Sequence, residues 1–434
     1  MTYEEALQYI WSYGWRGSIR GLSRMRTLLD RLGNPERATK YLHIAGTNGK
    51  GSTASMSASI LACAGYRTGL YTSPFVNVFN ERIRFNGENI PDADVARLTE
   101  QIRDVADTMD DHPTVFEMTT ALGFLYFAEK RCDIVVLEVG MGGELDATNV
   151  IETSEASVIT AMGLDHVEEL GPTMTDIAYA KAGILREGVP VVSYGGNKEA
   201  DCEIARIAAL RHAPLISPDF TKIVPLTASL DGQTFSYKER EDIALSLIGT
   251  YQLNNAAVVL EAMDVLRSRG WDISEDAIRE GLRTTWWPAR FEVLRREPTV
   301  IVDGGHNPHG ITATAGSIRR LFPDRKIVFV TGVMADKDVE TMMSLLTPMA
   351  KRFYTVRPEN PRAMAPELLA ERISALGVPA EPKPSVGEAL DAAMEAAGRD
   401  GVVIAVGSLY LSGAVRAYIG GQDTKRAGAE VSYG

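Results

Sequence analysis

With 434 residues, 45% hydrophobic and 24% charged, the chain is long enough for two or three separately buried cores and contains no biased tract. A formal net charge of −12 argues against nucleic acid or an anionic membrane surface as the main partner, although a few local cations and backbone N–H groups could still hold small anions. No run of about 18 uncharged apolar residues is present to span a membrane, the acidic start MTYEEALQYIWSYGW lacks the parts of a signal peptide, and Cys63, Cys132 and Cys202 are spaced for neither a disulfide framework nor a zinc site.

The three cysteines are therefore expected to be reduced, buried thiols of a cytoplasmic protein. In chain order, the pattern is strand, loop, helix, repeated. The apolar run YLHIA at 41–45 predicts a strand, followed by a glycine-rich loop and a helix over 52–64. A strand at 68–71 comes next, then helices over 95–109 and 119–130. The run DIVVLEV at 133–139 is apolar almost without alternation, as a strand covered on both faces must be. Runs at 156–161 and 190–194 continue the series. Between 215 and 238 the pattern alternates, and Asp231–Gly232 is a hairpin signal, so a small antiparallel insert is expected.

Helices over 255–269 and 274–282 follow, and then the stretch 284–298, with Trp286, Trp287 and Pro288, breaks the helical pattern. A fresh series starts there: strands at 299–303, 326–331 and 402–406, with helices at 366–376 and 385–397. The polar tail after Gly420 is expected to fray. Such alternation predicts an α/β protein whose parallel sheets are covered by helices. The expected organisation is a P-loop-type, mostly parallel sheet domain over 1–287 with the antiparallel insert, and a smaller, Rossmann-like α/β domain over 288–434.

The segment HIAGTNGKGST at 43–53 lies between a strand and a helix, the setting a phosphate cradle requires. Glycines let backbone N–H groups converge on phosphate oxygens, and the helix N-terminus adds positive potential. Lys50 can reach the β- and γ-phosphates, while a hydroxyl at Ser52 or Thr53 can face Mg²⁺, so ATP is the expected ligand. Gly51 departs from the general pattern, in which Ser or Thr follows the lysine directly, and the plainer reading is a glycine-rich turn. A second cluster, GMGGEL at 140–145, invites a dinucleotide reading with Asp165 as the ribose acid. That reading is rejected, because Leu145 stands where the third glycine is needed and residues 146–149 (DATN) do not continue as a helix.

Glu138 sits near the carboxyl end of its buried strand, where ligands of open α/β sheets gather. A lone carboxylate there is costly unless paired, so a buried salt bridge is the alternative to a metal ligand. His166, in GLDH at 163–166, is by itself more often a packing residue than a ligand, and Lys181, in AKAG at 180–183, in isolation marks only a helix surface. The turn DGGHNP at 303–308 ends the first strand of the second series and again suits ligand contact.

Ten segments then occur in one order: AGTNGKGST (45–53), GLYTSPFVNVFNERI (69–83), TVFEMTT (114–120), EVGMGGELDATN (138–149), GLDHVEELG (163–171), KAGI (181–184), YQLNNAA (251–257), ARFEV (289–293), DGGHNP (303–308) and GSLY (407–410). On these segments the sequence resembles the folylpolyglutamate synthases, a family that includes bifunctional dihydrofolate synthases and belongs to the Mur-ligase group. The resemblance implies that Thr47, Asn48, Gly49, Lys50, Gly51 and Ser52 hold the ATP phosphates and that Asn255, Arg290 and Asp303 contact ATP. It implies two Mg²⁺ ions on Ser73, Glu138 and His166, and catalytic roles for Lys50, Lys181 and His306, with Lys181 carbamylated beside one metal. Thr114, Val115, Phe116, Glu117, Leu145, Asp146 and Ala147 would lie along a pterin site. Phe75, Glu144 and Ala289 stand where many members have His, Arg and Gly, and the first two put dihydropteroate use in doubt.

The implied reaction joins L-glutamate to folate, or the related acid dihydropteroate to glutamate, at the expense of ATP through an acyl phosphate. The expected partners are those small molecules, with no nucleic acid, no membrane and a monomeric chain. Two other readings are a Mur-type ligase acting on a non-folate acid, and a regulator in which nucleotide merely switches a binding surface.

Overall fold

Apolar runs without alternation belong in the middle of a sheet covered on both sides, and the computed structural model, which describes residues 1–13 and 21–421, carries two such sheets. The first is built from β1 (Lys40–Ala45), β2 (Thr68–Tyr71), β3 (Ile83–Phe85), β4 (Glu88–Asn89), β5 (Ile134–Glu138), β6 (Ala156–Ile159), β7 (Val191–Ser193) and β8 (Leu215–Ile216). Their order is β4-β3-β2-β5-β1-β6-β7-β8, parallel from β2 to β8, with β3 and β4 added antiparallel at one edge. β1 lies centrally, Leu42 facing Val136 of β5 on one side and Ala156 of β6 on the other.

One face of this sheet packs on the helices Lys50–Cys63 and Thr250–Ser268, the other on Val115–Glu129 and the N-terminal helix Tyr3–Ser12. The helix Lys50–Cys63 is rich in Gly, Ala and Ser and is buried almost all round. Its small side chains admit close neighbours. A Cβ at Gly281 would lie 2.5 Å from the Ile60 Cα, so the helix Glu275–Thr284 meets it backbone to backbone.

The alternating region forms a separate antiparallel sheet of β9 (Ile223–Ser229), β10 (Gly232–Tyr237) and β11 (Arg240–Leu245), with Asp231–Gly232 at the first hairpin. The last sheet comprises β12 (Glu292–Arg296), β13 (Thr299–Asp303), β14 (Ile327–Thr331), β15 (Ala350–Thr355), β16 (Ala380–Pro382) and β17 (Val402–Val406), in the order β12-β13-β17-β14-β15-β16. Only β12 runs antiparallel to its neighbour.

Several expectations need correction. The helix placed at 119–130 starts four residues earlier, at Val115, because Thr114 and Glu117 form a capping box. The helix placed at 255–269 begins at Thr250. The helices Met174–Ala182, Lys198–Leu210, Pro308–Leu321 and Leu409–Ile419 escaped the pattern reading altogether. Residues 147–150 do form a single 3₁₀ turn, capped by Asp146. Cys132 is buried as expected, but Cys63 and Cys202 are exposed, on outward faces of their helices, and all three are free thiols. Gln422 and the rest of the tail lie outside the described residues.

Candidate active site

β1, β5 and β6 are neighbours and parallel, so the loops leaving their carboxyl ends emerge side by side. The loop after β1 is the glycine-rich segment. Gly46 has φ 144° and a Cβ there would lie 1.9 Å from the Thr160 hydroxyl, so the loop can pass beside β6 only without a side chain. Thr47 ties the loop to the segment after β6, its hydroxyl donating to the Gly163 carbonyl at 3.0 Å. Gly49, at φ 86°, turns the chain into the helix that starts at Lys50. That helix end carries unpaired N–H groups and Lys50, whose Nζ reaches back to the Thr47 carbonyl at 3.2 Å. Gln252 donates to the Ser52 hydroxyl at 3.1 Å and accepts from Asn255 at 3.0 Å, so the helix starting at Thr250 braces the loop from the other side.

Glu138 ends β5 and is buried, its carboxylate accepting from the Ser73 backbone N–H at 3.0 Å. Desolvation raises its pKa and the nearby Lys50 opposes the rise. The glycine turn that follows is supported from below. Asp146 accepts from Met141 N at 2.9 Å and from the Thr148 hydroxyl at 2.6 Å, and that hydroxyl lies 3.0 Å from His43 Nε2. Buried in β1, His43 is held neutral with its pKa pushed down to about 3.

Lys181 is buried and donates to the Gly46 carbonyl at 2.8 Å. Desolvation, helped by the Lys50 charge, lowers its pKa to about 7. An amine neutral near pH 7 is a nucleophile, which carbamylation requires. The same shift has a stability consequence. Between pH 7 and the ordinary value of 10.5, the unfolded chain binds a proton that the folded chain has released, so stability rises with pH across that window and is lost as pH falls. Lys181→Met is expected to remove this rise, on the order of 4 kcal/mol, from denaturant titrations in CO₂-free buffer at pH 7 and 10; equal slopes for both proteins would refute it.

The last sheet faces the same loop. Asp303, at the end of β13, accepts from Phe291 N at 2.9 Å, Gly305 N at 2.9 Å and the Thr314 hydroxyl at 2.7 Å, which fixes the turn 303–308. Asn307 caps the helix Pro308–Leu321 and donates to the Asn48 side chain at 3.2 Å, while Asn48 Nδ2 lies 2.9 Å from His309 Nδ1. Across the gap, Asp165 pairs with Lys337 at 3.0 Å and lies 3.9 Å from His306 Nε2. Burial would raise the Asp165 pKa, but the neighbouring His166, Lys337 and His306 outweigh it and hold the carboxyl below its ordinary range, to about 2. Together the two sheets enclose a cleft of about 300 Å³ whose walls include Lys50, Glu138, Lys181, Arg290, Asp303 and His306.

Against this geometry stand the comparisons with known proteins. Residues 44–263 match the Mur ligase middle domain, and residues 289–409 match the Mur ligase glutamate ligase domain. The folylpolyglutamate synthase of Lacticaseibacillus casei is 38% identical over 429 residues, covering 96% of this chain and 98% of that protein. The chain belongs to the folylpolyglutamate synthase/dihydrofolate synthase family of Mur ligases. Among solved structures, the folylpolyglutamate synthase of Thermotoga maritima superposes with a TM-score of 0.85 at 34% identity, over 99% of this chain and 98% of that one. The E. coli FolC complex with DHPP and ADP gives 0.86 at 31%, over 97% and 98%.

Within this Mur ligase cleft the structure gathers Thr47, Asn48, Gly49, Lys50, Gly51, Ser52, Ser73, Glu138, His166, Lys181, Asn255, Arg290, Asp303 and His306. It does not bring the seven pterin-side residues to the same walls. Glu117 is engaged by Arg24 at 2.7 Å and by its own helix cap; Asp146 is engaged by the glycine turn; Leu145 is exposed. Phe116 lies against Gly140, where a Cβ would meet its ring at 2.4 Å. Sequence reading missed Asn307, His309, Lys337 and Tyr251, whose hydroxyl donates to Asp303 at 3.3 Å. An Asn before a Pro is an N-cap signature that would have placed the helix carrying His309.

Among the described residues, no three or more His, Cys, Asp and Glu side chains form a metal cage. Mg²⁺ does not need one, since it keeps several waters and takes one or two carboxylates plus substrate phosphates. Glu138, buried and facing the loop with its charge disfavoured by desolvation, has the donor chemistry such an ion satisfies.

Proposed function

We propose that this chain is an ATP-dependent ligase that adds L-glutamate to folate by way of an acyl phosphate. The observation that carries the reading is the meeting, in one cleft, of the phosphate loop of the first sheet with Arg290, Asp303 and His306 beside the last. A carboxylate resists attack by an amine because oxide is a poor leaving group. Transfer of the γ-phosphoryl group to it supplies a better one, which the glutamate amine then displaces as phosphate.

The residues contribute positioning and charge. Residues 47–52 would cradle the triphosphate through Lys50 and the N–H groups of 49–52, those of Thr47 and Asn48 being held by the Ala161 carbonyl. Asn255, Arg290 and Asp303 orient the nucleotide, and His306, its pKa lowered by desolvation, lies in the cleft as a neutral acceptor for the amine proton. Ser73, Glu138 and His166 would hold two Mg²⁺ ions, which would supply charge neutralisation for the transferring phosphoryl group. Lys181, once carbamylated, would add an anionic oxygen beside one of them. The seven pterin-side residues, outside the walls of this cleft, would hold the folate ring.

The reading extends to a domain boundary near residue 287, with closure about that point excluding water, and to a monomeric cytoplasmic enzyme. The test is ADP release by the purified chain with ATP, Mg²⁺ and glutamate. Tetrahydrofolate is expected to elicit release that depends on both acceptor and glutamate; no nucleotide consumption would overturn the assignment. The same assay with dihydropteroate decides whether Phe75 and Glu144 bar the first glutamate addition.

A further inference from the structure

The one residue of the phosphate loop that breaks the general pattern, Gly51, is covered by an aromatic ring from the far end of the first unit. A Cβ at Gly51 would lie 2.8 Å from Trp287 Cζ2 and Nε1 and 2.9 Å from Cε2, so the indole rests directly on the loop backbone. Trp287 is 7% exposed, and its buried Nε1–H has no hydrogen-bond partner among the described residues, so its ring faces and not a polar tether set its place. Behind it stands Arg84 of β3, itself 5% exposed with an unpartnered Nε, its guanidinium carbon 5.2 Å from the Trp287 ring centre and 5.6 Å from that of Trp286.

The segment is fastened to the first unit. The Ser55 hydroxyl donates to the Trp286 carbonyl at 3.0 Å, and the Ser246 hydroxyl donates to that of Thr285. After it come Pro288, then Ala289 at φ 54° and Phe291 at φ 49°, whose N–H already belongs to Asp303 of the last sheet. From that side, Arg416 of the helix Leu409–Ile419 lies 5.4 Å from the Trp286 ring and pairs with Glu292 at 3.0 Å.

We infer that Trp287 is a positioning residue for the nucleotide: its indole, wedged between Arg84 and Gly51, fixes the first turn of the phosphate-loop helix and links it to the swivel at 288–291. This rests on the assignment of the loop to ATP. It also accounts for Gly51, since any side chain there would collide with the ring.

The test uses the full chain and two readouts, ADP affinity by calorimetry and KM for each substrate. Trp287→Leu, which keeps apolar volume but loses the flat ring, is expected to weaken ADP binding and raise the KM for ATP on the order of 10–100-fold. The KM values for glutamate and folate stay within about twofold in that variant, because the loss is confined to the nucleotide. Trp287→Phe, which restores a flat ring, is expected to recover most of the affinity. Arg84→Met, which leaves the ring but removes its backing, should fall between the two. Wild-type ADP affinity in a folded Trp287→Leu chain overturns the inference, and so does an equal rise in all three KM values. ADP binding needs no turnover. A wild-type chain that binds ADP yet ligates nothing therefore defeats the proposed reaction and leaves the role of Trp287 to be decided by the variants.

Discussion

Lys50→Ala is expected to lower glutamate-dependent ADP release by about 1000-fold, the scale for losing a preorganised donor at the reacting phosphate. Lys50 is the first residue of its helix, and among the described residues its side chain makes one hydrogen bond, to the Thr47 carbonyl at 3.2 Å. Alanine suits that helix, so the fold should survive and the melting temperature should stay close to wild type. The lost ammonium is the cation of the loop and also the largest influence opposing the desolvation of Glu138. Its removal leaves the γ-phosphate facing a buried carboxylate with less positive charge between them. Lys50→Arg keeps the charge but not the compact reach, and recovers only part of the rate. A Lys50→Ala chain that releases ADP at the wild-type rate would remove the phosphate loop from the mechanism.

Glu117→Ala is expected to destabilise the chain by about 3 kcal/mol, because it removes the buried carboxylate of a buried ion pair and the cap of a helix. Arg24 and Glu117 meet at 2.7 Å with side chains only 4% and 7% exposed, and Asp111, which also pairs with Arg24 at 3.0 Å, is 72% exposed. The same carboxylate accepts from the Thr114 N–H and hydroxyl and so starts the helix Val115–Glu129. Glu117→Gln keeps the cap and loses the charge, and should cost less than alanine. Exchanging both Arg24 and Glu117 for Met should recover most of the stability, since a well-packed apolar pair avoids the desolvation of two ions. Thermal melting decides the matter alongside the KM for folate. A folate KM that rises while melting is unchanged would make Glu117 a substrate contact and not a fold residue.

The two residues illustrate different degrees of legibility. Lys50 is readable from sequence because its neighbours in the chain are its neighbours in space: a strand, three glycines and a helix lie within about a dozen residues, and local backbone geometry shapes the loop. The same holds for the parallel sheets, whose strands announce themselves as unalternating apolar runs at 133–139, 299–303 and 402–406. The buried ion pair of Glu117 was not legible because its partner, Arg24, lies 93 residues away, although the Thr114-x-x-Glu117 spacing held the capping signal.

Sequence by itself thus determined the class of fold, the phosphate loop and, through ten ordered segments, the family. Tertiary structure alone decided that Lys181 is a buried amine with a pKa near 7, that Asp165 draws Lys337 and His306 across the cleft, and that the Trp287 ring lies against Gly51. The physical reason is range. Hydrogen-bonded turns and apolar periodicity are set by residues a few positions apart, whereas desolvation, ion pairing and ring contact depend on which distant segments the packed sheets bring together.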